Sequence, residues 1–320
     1  MNVNLNYMRR ALELARRGEL GAHPNPMVGA VIVAPDGRIV GEGYHRVCGQ
    51  AHAEVNAVNS AAGADLTQTT LYVTLEPCAH YGKTPPCARL IIDRGIPRVV
   101  VATVDPFAKV SGRGIAMLRE AGVEVEILPP SPLVDECRFL NRRFFTAHTL
   151  RRPYVALKWA RTADGFVDRL RADSSPTLPL RISSPASQIA AHRYRAAFDA
   201  IAVGSATLRL DRPRLDCRLW PGARNPERVE FARGDLAEQL SALYSRGLCS
   251  LLVEGGPTLQ RSFLDAGLWD ELRVETNPAL TVGSGVEAPA VPSAALAVAT
   301  PAENIEIFCN RELFSRLGRL

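Results

Sequence analysis

The stretch Thr74-Leu75-Glu76-Pro77-Cys78-Ala79-His80-Tyr81-Gly82-Lys83-Thr84-Pro85-Pro86-Cys87, read with His52-Ala53-Glu54 upstream of it, decides the character of the N-terminal half. One histidine and two cysteines offer an imidazole and two thiolates, a donor set that suits zinc. Three protein ligands leave the fourth tetrahedral position to water, whose pKa zinc lowers to about 7. Glu54 lies two residues from His52, close to such a metal and free to carry a proton from that water to a reacting nitrogen. Two other readings compete with this one. A closed structural site would recruit a fourth ligand, for which Cys48 and His80 are the candidates. A metal-free site would leave His52 as a helix cap and the cysteines as core filler. Neither has a use for a glutamate at that spacing.

Outward from this stretch, strands and helices alternate. Leu5, Met8, Leu12 and Ala15 share one face of a helix over 4–17, which Gly18 ends. Met27–Val33 and Ile39–Tyr44 flank the turn residues Pro35-Asp36-Gly37 and read as a hairpin. A helix over 53–62, a strand over 70–75, a helix over 86–95, a strand over 98–104, a helix over 113–121 and a strand over 123–128 follow. After Pro129-Pro130-Ser131-Pro132 one helical stretch is predicted from Leu133 to about Ala147, and Arg151-Arg152-Pro153 then opens a strand over 154–159. The second half repeats the pattern, with helices over 184–197, 235–246 and 257–266. Its strands are predicted over 199–203, 248–253, 270–276 and 304–309. Such alternation implies sheets with parallel strands covered on both faces.

At 320 residues the chain suits two domains, with a boundary near residue 148. The net charge of +5 is mild, and no run of like charges resembles a nucleic-acid arm. Only Lys83, Lys109 and Lys158 are lysines among the 38 basic residues, and arginine suits anionic small substrates. Seven cysteines without disulfide-like spacing, arginines at 9, 10, 16 and 17, and no long apolar run point to a reducing, cytoplasmic setting away from membranes.

His23-Pro24-Asn25-Pro26-Met27-Val28-Gly29, His52-Ala53-Glu54 and Thr74–Cys78 together resemble the cytidine-deaminase superfamily. The eight residues between Cys78 and Cys87, where nucleoside and nucleic-acid deaminases usually have two, are similar to the deaminase domain of the bifunctional riboflavin-biosynthesis deaminase–reductases. The resemblance implies an α/β chain in which a cytidine-deaminase-like three-layer domain over 1–147 is followed by a dihydrofolate-reductase-like α/β domain over 148–320. It implies one zinc per chain on His52, Cys78 and Cys87, and Glu54 as the catalytic proton shuttle. Asn25, His80, Lys83 and Asp105 would contact a small phosphorylated pyrimidine. His45 could also line that pocket.

In the second half, Lys158 with Thr162-Ala163-Asp164-Gly165, Gly204–Pro213 and Glu254-Gly255-Gly256-Pro257-Thr258 resemble the family's reductase domain. The resemblance places substrate at Arg195, Arg218 and Glu254, and NADPH at Lys158, Thr207, Asp211, Gly255, Gly256, Pro257 and Thr258. The Gly-Gly turn follows a strand and opens a helix, so its amides can face a cofactor phosphate. Three departures stand out. Phe107 replaces an asparagine, Pro179-Leu180-Arg181-Ile182-Ser183 replaces Ser-x-Trp-Ile-Thr, and only 29 residues separate Arg218 from Leu248, where the family fits further strand structure. The leading expectation is a homo-oligomeric enzyme that deaminates the diamino-hydroxy-phosphoribosylaminopyrimidine and then reduces its ribosyl group to ribityl. The alternative is a deaminase with a catalytically impaired cofactor domain. A nucleic-acid deaminase fits poorly with the long cysteine loop and the absence of a basic stripe.

Overall fold

The computed structural model describes residues 3–80, 85–106, 111–171, 178–231, 234–302 and 304–312, and the chain divides into two units between Thr149 and Leu150. In the first unit α1 (Leu5–Arg16) leads into the hairpin β1 (Gly29–Val33) and β2 (Ile39–Tyr44), then α2 (Ala53–Ser60) and β3 (Thr70–Val73). α3 (Cys87–Asp93), β4 (Arg98–Val101), α4 (Arg113–Glu120), β5 (Glu124–Ile127), α5 (Pro132–Leu140) and α6 (Arg142–Leu150) complete it. The sheet order is β2-β1-β3-β4-β5, antiparallel through the hairpin and β1·β3, parallel from β3 onward.

All five residues of β1 are buried, and they alternate between two cores as the pleat requires. Ala30 and Ile32 meet Ala53 and Ala57 of α2, Ile91 of α3 and Leu118 of α4 on one face. Val31 and Val33 meet Met8, Ala11 and Leu12 of α1 and Val134 and Cys137 of α5 on the other. This is the expected three-layer α/β/α arrangement. α2 can lie this close because β2 carries glycine beneath it: a Cβ on Gly43 would fall 2.3 Å from both Ala53 O and Ala57 N.

The single helix expected from Leu133 to Ala147 is in fact two, interrupted at Asn141 (φ −99°, ψ 20°). The buried Asn141 side chain accepts from Met27 N at 2.7 Å and donates to Met27 O at 2.8 Å, clamping the segment that enters β1. A continuous helix would carry that amide away from Met27.

The second unit begins with β6 (Tyr154–Thr162), β7 (Phe166–Asp168), α7 (Pro185–Arg195), β8 (Ala200–Ala202), α8 (Ser205–Asp211), β9 (Glu227–Val229) and α9 (Leu236–Ser245). β10 (Ser250–Glu254), α10 (Pro257–Asp265), β11 (Glu271–Asn277), β12 (Val286–Glu287), β13 (Ala295–Ala302) and β14 (Ile305–Asn310) follow. Its sheet order is β13-β14-β11-β6-β10-β8-β9; β11, β6, β10, β8 and β9 run parallel, and β7 and β12 form a separate ribbon. α9 and α10 cover one face through Leu240, Leu243 and Phe263, and Tyr194 of α7 and Leu208 of α8 pack on the other. Arg152 grips buried Asp270 with two bonds of 2.6 and 2.7 Å, and Asp270 also accepts from Val155 N, so the starts of β6 and β11 are tied together.

The short stretch between Arg218 and Leu248 still contributes a strand. Glu227–Val229 adds three residues alongside β8 as the sheet edge, and α9 follows. Among the described residues, no helix is long and apolar enough to cross a membrane.

Because the buried Asn141 side chain pairs both backbone groups of half-buried Met27, Asn141→Ala would leave those groups without that partner and destabilise the first unit by about 1–2 kcal/mol. Calorimetry of the full chain should show the first unit's transition moving down while that of the second stays in place. An unmoved transition would mean that the turn entering β1 holds itself.

Candidate functional site

α2 starts at the zinc-type motif. His52 is its N-cap residue with extended backbone (φ −71°, ψ 170°), but its side chain makes no capping bond. Instead Nδ1 lies 3.6 Å from Cys78 Sγ and 3.4 Å from Cys87 Sγ. Zinc bound by nitrogen at about 2.1 Å and sulfur at about 2.3 Å would set tetrahedral N···S edges of roughly 3.6 Å, so the three atoms stand where such an ion needs them. Cys78 follows β3 and Cys87 opens α3, and the Cys87 N–H donates to Cys78 Sγ at 3.3 Å. Among the described residues these three form the only His/Cys/Asp/Glu group able to hold a metal. Cys48 and His80, the alternative fourth ligands, are both exposed and lie outside it.

The electrostatics fit an ion-binding site. The Cys78 thiol is held well below its ordinary range, first by the hydrogen bond from Cys87 and then by His52, despite burial. Cys87 is pushed the other way by its bond to Cys78 and by burial. The hydrogen bond to Cys78 raises His52 to about 8. Glu54 is 3% exposed, and burial, with the Cys78 charge behind it, raises its carboxyl to about 7. A carboxyl that exchanges protons near neutrality suits a shuttle. The other buried thiols differ. Burial lifts Cys137 to about 12 and Cys249 to about 11, and it also raises Cys217.

Around this centre the structure gathers further residues of the motif. Asn25 Nδ2 donates to His45 Nε2 at 3.2 Å, while His45 Nδ1 donates to Ala51 O at 3.1 Å. The His45 ring meets the His52 ring edge-on at 5.2 Å, which places the Asn25 turn beside the metal ligands. Asp105 is buried after β4, and His80 is exposed beyond Cys78. Lys83 and Phe107 lie outside the described residues.

Glu76, which the sequence marks only as part of the Thr74–Cys78 motif, has a defined place in the fold. Its buried carboxylate accepts from Gly112 N and Gly114 N, each at 2.9 Å, and from Asp105 N and Ile115 N, each at 3.3 Å. A carboxylate two residues before a ligand cysteine was the only signal available, and nothing in the sequence names its distant partners.

In the second unit a group of residues assembles at the carboxyl ends of the parallel strands, where open α/β sheets bind ligands. Glu254 ends β10 beside its register partner Lys158 on β6. Arg195, from the last turn of α7, holds Glu254 with bonds of 2.9 and 2.7 Å and reaches Asp216 O at 3.0 Å. Burial works to raise the Glu254 carboxyl, but the bonds and charge of Arg195 prevail and keep it below its ordinary range. Gly255 and Gly256 have φ +80° and +71°, conformations that suit glycine. A Cβ on Gly256 would come within 3.2 Å of Thr207 Oγ1 and 3.4 Å of Gly204 N, so this turn is seated against the start of α8. α10 then begins at Pro257-Thr258 with no side-chain cap, leaving its first N–H groups for a ligand phosphate. Arg218 and Asp211 each make an ion pair. Arg218 is exposed and paired with Asp216 at 2.6 Å, and Asp211 is bound at 2.7 Å by Arg171, which also holds Asp168 at 2.6 Å.

Comparison with known proteins finds a match for each half of the chain. Residues 1–103 match the family model described as the cytidine and deoxycytidylate deaminase zinc-binding region, and residues 153–298 match the RibD C-terminal domain. The riboflavin biosynthesis protein RibD of Bacillus amyloliquefaciens is 38% identical, the match covering 87% of this chain and 85% of the relative. That of Escherichia coli K12 is 36% identical over 86% and 87%. The crystal structure of a diaminohydroxyphosphoribosylaminopyrimidine deaminase/5-amino-6-(5-phosphoribosylamino)uracil reductase from Thermotoga maritima superposes with a TM-score of 0.82 at 34% identity, covering 95% of this chain and 98% of that one. With relatives at this identity along most of both chains and both domain signatures in order, the chain belongs to the RibD family of riboflavin-biosynthesis proteins and joins a zinc-dependent deaminase domain to an NADPH-dependent reductase domain.

Proposed function

We propose that the first domain, to about residue 147, hydrolytically deaminates diaminohydroxyphosphoribosylaminopyrimidine, and that the second, from 148, reduces the ribosyl group of the product to ribityl. The observation that carries the first step is the His52 Nδ1 lying 3.4–3.6 Å from both sulfurs with Glu54 buried beside them. When bound there, zinc supplies a water acidic enough to be deprotonated near neutrality. His52, Cys78 and Cys87 hold the ion. Glu54 would accept one proton of that water as its oxygen bonds to the amine-bearing ring carbon and pass it to the ring nitrogen; it would then move the second proton from the new hydroxyl to the amine, so that the C–N bond breaks, ammonia leaves and a carbonyl remains. Asn25 and Asp105 orient the pyrimidine. His80 and Lys83, which lie between the two cysteines in sequence, take the phosphate or a ring carbonyl.

For the second step, Gly255, Gly256, Pro257 and Thr258, with Thr207, Asp211 and Lys158, hold NADPH, which supplies the hydride when bound. Arg195 keeps Glu254 ionised, ready to accept hydroxyl groups of the sugar, and exposed Arg218 takes the phosphate. The deaminase-only alternative finds no observation in its favour, since the Gly255-Gly256 turn and the Arg195–Glu254 pair are both built. The working form is a cytoplasmic homo-oligomer that binds neither nucleic acid nor membrane.

Purified protein should carry about one zinc per chain, and Cys78→Ser or Cys87→Ser should lose both the metal and deamination while still reducing deaminated substrate. Zinc retained in full by both variants would sink the coordination. Glu54→Gln should keep the metal while deamination falls roughly 10²–10⁴-fold; near-normal turnover would point to another base. Arg195→Ala releases the charge that orients Glu254, so reduction followed by nicotinamide absorbance should fall by about 10²-fold, with deamination unchanged. An unaffected rate would remove the pair from the reductase site.

A further inference from the structure

We infer that Glu76 is a positioning residue for the deamination, fastening the segment that carries Asp105 to the residues immediately before ligand Cys78. This rests on the deaminase reading above and extends it to a residue that touches neither metal nor substrate. The Glu76 side chain is buried at 4% exposure, and among the described residues it accepts from four backbone N–H groups. Oε2 takes Asp105 and Gly112, and Oε1 takes Gly114 and Ile115, so one carboxylate binds both ends of the segment running from β4 to α4.

Helix α4 depends on this arrangement. Its N-cap position is Gly112 (φ +75°), which has no side chain to cap with, and Glu76 satisfies the first N–H groups from another part of the chain. The approach is close: a Cβ on Gly114 would lie 1.8 Å from Pro77 O. Glu76 is itself fixed, since its N–H donates to Thr103 O at 2.9 Å. The carboxylate is engaged by backbone donors from both ends of that segment and is not placed to carry a proton in the reaction. What it determines is where Asp105 stands relative to Cys78, two residues from Glu76.

The test is Glu76→Gln in the full-length, zinc-loaded chain. The amide keeps the shape but turns an NH2 group toward two of the four N–H donors, breaking half the anchor. The KM for the phosphoribosylaminopyrimidine should rise about tenfold, the equivalent of one such anchoring contact. kcat should stay within about threefold, zinc at one per chain, and reduction of deaminated substrate unchanged, which reports a folded chain. The double variant with Asp105→Asn should be clearly non-additive, because both changes would act through one contact. A merely structural role would lower the melting temperature with KM unmoved, and that result, or loss of zinc, overturns the inference. If Glu76→Gln does not fold, Glu76→Asp, with its charge kept and its reach shortened, must show the same KM rise. Absence of turnover by the unmodified chain would count against the deaminase reading itself and not against Glu76 alone.

Discussion

The deaminase centre depends on how closely helix α2 lies on the hairpin. Gly41 and Gly43 face it from β2, and a side chain at either would run into the backbone of Ala57 or Ala53 at 2.3–2.4 Å. That closeness fixes the height of the α2 N-terminus above the sheet, and with it His52 and Glu54. Cys78 lies in the segment after β3 and Cys87 at the start of α3, and they meet His52 only because the layer spacing is held. The small residues of the core, Ala30, Ala53, Ala57 and Ala88, serve the same end, because bulk there would lift the helices away from the strands.

What could be read in the chain beforehand follows from the range of the interactions involved. The zinc ligands and Glu54 lie in short motifs whose chemistry is local, and the alternation of strands and helices is a periodic pattern that survives without knowledge of partners. Asn141 shows the limit. Nothing near it marks a break in a helix, since its partner is Met27, more than a hundred residues away. Glu76 is similar, being a motif letter whose donors belong to a later loop and helix. In the second domain Glu254 and Gly255-Gly256 were visible as a strand end and turn. That Asp211 is held by Arg171 was not, for ion pairs between separate segments leave no periodic trace.

The two sites solve one problem by different means. In the first, ligands converge from the starts of α2 and α3 and from the segment after β3 onto a point, and a single ion would fix the geometry. In the second, the carboxyl ends of β6, β8 and β10 form a rim, and a glycine turn pressed against α8 keeps the backbone amides of α10 bare. Asp199 braces the opposite end of that sheet by accepting from Cys249 N and Ser250 N, so the rim is free to be shaped by its ligands rather than by structural demands.

The contrast among the thiols has a toxicological consequence. Burial raises the thiols of Cys137, Cys217 and Cys249 and keeps them out of reach, whereas the Cys78 thiol is held low, by Cys87 first and then by the His52 imidazole. Soft heavy-metal ions such as cadmium and mercury seek such sulfur, and they would be drawn to the deaminase centre ahead of those core cysteines. Poisoning of this chain by such ions would therefore stop the hydrolytic half while sparing the hydride-transfer half, and starve the second reaction of its substrate without touching its site.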